Sequence, residues 1–193
     1  MQADLGLASW DVLHQGVADT MDVSIGLVVI ATSVLVLVLW APLRQRPGVG
    51  TLANVVLVGL SLDVSIAVLP APTDLAWRVA FLVAGIVGNG IATGLYIGAG
   101  LGPGPRDGLM TGLAARGLSL RVARTGIEAA VLLLGWGLGG TVGIGTIAYA
   151  VAIGPLSHTF IPLFAKPTPK GDLNEIARHR RQHPSRSRRS DHR

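Results

Sequence analysis

The chain has 193 residues, of which 50% are hydrophobic and only 14% charged, with a mean hydropathy of +0.54. So little polar surface cannot cover a soluble globule of this size, and the composition defines a membrane protein. The absence of cysteine excludes disulfide frameworks, thiol catalysis and cysteine-ligated metals.

A motif loop, LGLASWDVLHQG (Leu5 to Gly16), opens the chain and runs into a short segment at 11–20. Apolar windows long enough to cross about 30 Å of hydrocarbon follow at 23–40, 51–69 and 75–99. A second motif loop, LGPGPRDGLMTG (Leu101 to Gly112), leads into a second short segment at 106–116, and windows at 119–138 and 145–164 complete five spans. The windows are rich in Leu, Val, Ile and Ala without alternation, so they read as helices and not as barrel strands.

The two motif loops belong to a longer repeat. Leu5, Gly6, Asp11, Leu13 and Gly16 recur as Leu101, Gly102, Asp107, Leu109 and Gly112, and Trp40 recurs as Trp136. After a slip of one residue, Gly48, Gly50, Thr51, Ala53 and Gly59 recur as Gly143, Gly145, Thr146, Ala148 and Gly154. The expected fold class is therefore all-α, a polytopic transmembrane helix bundle of two inverted repeats, with five spans plus two short interfacial or re-entrant helices. Residues 1–70 form the first membrane repeat, 71–164 the second, and 165–193 a basic, mostly disordered tail. The second repeat has an extra span in front, 75–99, so the first reads as lacking its leading helix. An apolar span of about 20 to 30 residues upstream of Met1 would supply it.

Charge sets the orientation. Positions 165–193 hold nine of the sixteen Lys and Arg residues, leaving seven basic against eight acidic residues in the body. Arg44 and Arg46 place the first inter-span loop in the cytoplasm, as do Arg106, Arg116, Arg121 and Arg124 for the second motif side, while the first motif side carries Asp4, Asp11, Asp19 and Asp22. The sign reversal is that of two halves inserted upside down relative to each other. Only Arg78 conflicts. The expected location is the cell membrane, multi-pass, with a cytoplasmic C-terminus.

Gly90, Gly94 and Gly98 form a GxxxGxxxG ridge, with Ala84, Gly88 and Ala92 on a second small face, which makes the third span a central packing helix. Trp10, Trp40, Trp77 and Trp136 fall at span ends or motif loops, as an interfacial aromatic belt requires. In the tail, Asp172 and Glu175 are expected to form a capping box for one or two helical turns through Gln182, and the later arginines to lie near anionic headgroups.

Chemistry is sparsely marked. GxGxxA occurs at Gly48 to Ala53 and at Gly143 to Ala148, but each follows one membrane helix and opens another, which points to close helix approach and not to a dinucleotide. No soluble-type catalytic motif is present; the chain is expected to be no enzyme and to use no cofactor or metal.

The paired short segments have two readings. They are broken helices aiming their N-terminal dipoles at a substrate, with Gly6, Asp11, His14, Gly102, Pro105 and Asp107 as the motif-loop residues. Alternatively they are interfacial helices burying Leu13 and Val17, or Leu109 and Leu113, with Asp11 and Asp107 as caps. Inside the spans, Asp63, Glu128 and His158 are ionisable residues of the kind that normally face a cavity or each other. Asp63 and His158 hold equivalent positions, where they either pair across a pseudo-two-fold axis or each bond a neutral partner. Arg124, one turn before Glu128, offers it a local ion pair, and Asn54 and Asn89 join the polar interior.

The strings LGLASWDVLHQGVAD (Leu5 to Asp19) and LWAPLRQRPGVGTLANVVLVGLSLDV (Leu39 to Val64) closely resemble the YczE/YyaS/YitT group of bacterial integral membrane proteins, over essentially the whole body to Phe164. Ser9 departs from the proline usual in that group and present at Pro105, and the group's first membrane helix has no counterpart here. The resemblance implies a multi-pass plasma-membrane protein and supplies neither substrate nor catalytic residues. Two functions stay open: a small inverted-repeat permease or exporter acting on a small-molecule substrate, its translocation site between the repeats at Asp63, His158, Glu128, Asn54 and Asn89 near the two motif loops, and a scaffold docking a cytoplasmic protein through the basic tail and the Arg106 to Arg124 face. Besides these, the lipid bilayer and anionic headgroups are the expected partners, and nucleic acid is not one.

Overall fold

The computed structural model describes residues 1–164. The tail, with its expected capping box, headgroup contacts and partner docking, lies outside the described residues. All regular structure within them is helical: α1 (Ser9–Met21), α2 (Ile25–Leu43), α3 (Val49–Val68), α4 (Leu75–Gly98), α5 (Pro105–Ala114), α6 (Leu120–Gly137) and α7 (Ile144–Phe164).

Local chemistry sets the boundaries. The Ser24 and Ser119 hydroxyls accept the Leu27 and Val122 amides at 3.2 Å and so cap α2 and α6. Pro105 opens α5, where its fixed φ fits and its missing N–H costs nothing. Asp22 and Arg44 close α1 and α2 in the left-handed conformation, their amides turned back onto carbonyls of the last turn.

Among the described residues, four helices are long and apolar enough to cross a membrane: α2, α3, α4 and α7. The fifth expected span, α6, is helical but carries Arg121, Arg124 and Glu128 in 18 residues, too much charge for an equally apolar segment. The four spans turn many of their Leu, Val and Ile side chains outward. In water this would be a large apolar patch; in lipid it is the natural surface, because helices satisfy their backbone internally.

The centre is built by α1, α5, α2 and α6, where α1 packs on α6 and α2, and α5 on α2 and α6. Its core joins Trp10, Val36, Trp40 and Val131, flanked by Leu13, Leu37, Leu109 and Ile127. The short helices are therefore interior elements. On α1 the buried positions are Trp10, Val12, His14, Gly16 and Ala18, and on α5 they are Pro105, Gly108, Met110 and Gly112, not the Leu13/Val17 and Leu109/Leu113 stripes of the interfacial reading.

Two further expectations are corrected. The glycine-ridged helix α4 is peripheral, with α7 as its principal partner. Gly90 and Gly94 lie against Leu156 and Phe160, whereas Gly88 faces open space. Of the tryptophans, Trp77 and Trp136 are exposed as a belt requires, but Trp10 and Trp40 are buried in the core. The α2–α3 crossing is closer still, since a Cβ on Gly26 would stand 2.3 Å from the Gly59 carbonyl oxygen.

Candidate functional site

Each motif loop docks on the glycine-rich helix start of the other sequence copy. Gly6 and Gly102 take φ of 109° and 112°, a turn that side-chain-bearing residues resist. The Leu5 carbonyl then accepts the Gly145 amide at 2.7 Å, and the Leu101 carbonyl accepts the Gly50 amide at 3.0 Å. Thr51 Oγ1 donates to the Pro103 carbonyl at 2.7 Å and accepts the Gly48 amide at 3.2 Å; Thr146 Oγ1 accepts the Gly143 amide in the same way. A Cβ at Gly48 would lie 2.3 Å from Leu101 O, and one at Gly143 2.5 Å from Leu5 O. The GxG spacing thus serves backbone contact.

These docked loops launch α1 and α5. Ala8 and Gly104 are the N-caps, so Asp11 and Asp107 sit in the first turns without capping. There each carboxylate complements the positive end of a helix dipole. The Trp40 indole donates to the Pro105 carbonyl at 3.0 Å, and its ring fills the space a Cβ on Gly108 would need. The two helix starts meet where the Arg106 guanidinium carbon stands 4.9 Å from the centre of the Trp10 ring, a cation–π contact.

Polar side chains gather around that contact. The Tyr96 hydroxyl donates to Asp107, and Asn54 borders Gly104 on the same side. On the other side, Asn89 donates to the Tyr149 hydroxyl at 2.7 Å. Asp11, Asn89 and Tyr149 line a cavity of about 380 Å³ whose remaining wall is largely apolar, with Leu62, Ile66 and Phe81 among its residues. His14 Nδ1 stands 3.5 Å from Asp11 Oδ1, an electrostatic contact longer than a formed hydrogen bond. Burial pushes the His14 imidazole below its ordinary value; Arg106 works in the same direction and Asp11 against it. Burial alone would raise the Asp11 carboxyl, but His14 and Arg106 outweigh it and hold the group below its ordinary value.

The other expected residues fall elsewhere. Asp63 caps α2, accepting the Ser24 hydroxyl at 2.8 Å and the Gly26 amide at 2.7 Å. Glu128 pairs with Arg124 at 3.0 Å, one turn away. His158 lies on α7, and its side chain is outside the described ones. Arg78, the residue at odds with the charge pattern, binds the Ala3 carbonyl at 2.7 Å and the Asp4 carboxylate at 3.0 Å. Trp10, Arg106, Tyr96 and Tyr149 were not singled out as site residues from the sequence. The repeat itself held a signal, since Trp10 corresponds to Arg106 and Asn54 to Tyr149. No group of three or more His, Asp or Glu among the described residues is placed to hold a metal ion.

A helical bundle with apolar outer faces and a polar cluster at the meeting of two short interior helices is an integral membrane protein of the α-helical class. Within that class the chain belongs to a family of unknown function, DUF6198, whose model matches residues 1–162. An uncharacterized protein of Haemophilus influenzae (strain ATCC 51907 / DSM 11121 / KW20 / Rd) is 41% identical over 163 residues, 84% of this chain and 75% of the relative. The uncharacterized membrane protein YczE of Bacillus subtilis (strain 168) is 32% identical over 160 residues, 82% of this chain and 74% of the relative, in line with the resemblance read from the motif strings. No solved structure matches the chain.

Proposed function

We propose that this chain is a small permease or exporter of two inverted repeats, performing no covalent chemistry, whose translocation site is the polar cluster where α1 meets α5. The observation that carries the reading is the contact of Arg106 with Trp10, because these are corresponding positions of the two copies. A residue touches its own counterpart only at an axis that relates the copies. The reciprocal loop docking, Leu5 with Gly145 and Leu101 with Gly50, has the same symmetry. Short interior helices whose first turns face each other resemble the broken helices of inverted-repeat transporters, which supports the reading. Their charges, which are costly at membrane depth, fit a pathway that substrate visits.

The test is a small-molecule screen by thermal stabilisation of the purified protein, with hits carried into proteoliposome flux. Flux lost in Arg106→Ala and in Asp107→Asn, with the fold intact, is the expected result. Flux surviving both variants would remove the cluster from the mechanism. The absence of any stabilising compound, together with a cellular phenotype lost on deleting 170–193, would favour the scaffold.

A further inference from the structure

His14 is the fully buried ionisable side chain among the described residues, and neither ring nitrogen has a hydrogen-bond partner. Leaving such a group unpaired costs free energy. The fold does not demand it, since the counterpart in the second copy is Met110, also buried. Asp11, against His14 Nδ1, also lines the cavity, so the imidazole has one polar route outward. Arg106 stands over Trp10 at 4.9 Å, and the Trp10 ring centre is 6.3 Å from that of His14, so its charge acts on both groups; its guanidinium makes no ion pair among the described residues.

We propose that His14 and Asp11 form a proton-binding pair coupled through Arg106 to a small carboxylate ligand, so that proton and anion bind together. The inference rests on the permease reading and names its substrate class and its coupling ion. A proton arriving from water in the cavity beside Asp11 binds His14 Nδ1, giving an imidazolium that faces the Asp11 carboxylate. While the Arg106 charge is bare it repels that imidazolium. A carboxylate seated on the guanidinium fork cancels the repulsion, and the anion gains affinity by the same factor as the proton. The groups facing His14 are Asp11 on α1 and Arg106 on α5. Tyr149 on α7 feels both Asp11 and Arg106, while Glu128 and Arg124 of α6 act on Tyr149, and α2 carries no titratable side chain.

Trp10, its ring centre 6.3 Å from that of His14, provides the readout, because a protonated imidazole quenches a neighbouring indole. Fluorescence of the purified full chain is followed against pH with the exposed Trp77 and Trp136 replaced by Phe. A quenching transition is expected below about pH 6.5, absent in His14→Met. Asp11→Asn, which keeps His14, should move it down and Arg106→Gln up, each by about half a pH unit, a threefold change in proton affinity. Benzoate or lactate should raise the midpoint when Arg106 is present and not in Arg106→Gln. No transition above about pH 4, or one that persists in His14→Met, overturns the proton site. A midpoint unmoved by Arg106→Gln and by both carboxylates overturns the coupling. Substrate flux without pH dependence would sink this inference and leave the permease reading standing; the reverse holds if the transition behaves as stated in a protein that carries no flux.

Discussion

The guanidinium of Arg106 stacks on the ring of Trp10, and the two residues hold the same place in the two sequence copies. A second cation in place of Trp10 would repel Arg106, whereas the indole attracts it and keeps a charge between the two helix starts.

Trp40 and Gly108 make the tightest contact of this centre. A Cβ at Gly108 would stand 1.9 Å from Trp40 Cζ2, and Trp40 cannot yield without losing its bond to Pro105. Gly108→Ala should destabilise the protein by about 1–3 kcal/mol, the usual cost of overpacking. Thermal or denaturant unfolding in micelles checks this, and an unchanged midpoint would refute the contact.

Asp63 should act on stability. Its carboxylate takes the Ser24 hydroxyl and the Gly26 amide at the start of α2. Asp63→Ala should cost about 1–2 kcal/mol, as a lost helix cap does. A variant with unaltered stability and lost flux would return Asp63 to the translocation path.

Acid should weaken the fold through His14. Its folded pKa lies below the ordinary value, so the unfolded chain binds the proton first. Stability is then complete above about pH 6.5 and falls as pH drops toward the folded value, by at most about 1.4 kcal/mol per unit. Asp11 is held low in the fold, so its share is present above its ordinary value and is lost only in stronger acid. Melting temperatures between about pH 7 and pH 5 should decline in the wild type and stay flatter in His14→Met; parallel curves would refute the assignment.

Single-cysteine labelling tests orientation in a chain that has no cysteine of its own. Val142, Arg46 and Arg116 are all exposed. Val142→Cys should react with an impermeant reagent in intact cells, and Arg46→Cys and Arg116→Cys only after permeabilisation. Reaction of all three from outside would defeat the inverted arrangement.

The sequence alone determined the membrane class, the helical elements, the family and the glycines at the loop docking, because composition, apolar length and repeated motifs are local properties of a chain. Helix starts were less legible: Asp11 and Asp107 read as caps, whereas Ala8 and Gly104 hold those places. The tertiary structure decided which helices are central. Glycine spacing on α4 is compatible with any close neighbour, and only packing assigns Gly90 and Gly94 to α7 at the periphery. It also decided partners: Asp63 reads alike as a pathway carboxylate or as bonded to a neutral partner until the Gly26 amide is seen beside it. His14 became notable through burial without a partner, and Arg106 through its place over Trp10. Such contacts join positions far apart in the chain, and no local pattern encodes the distance between them.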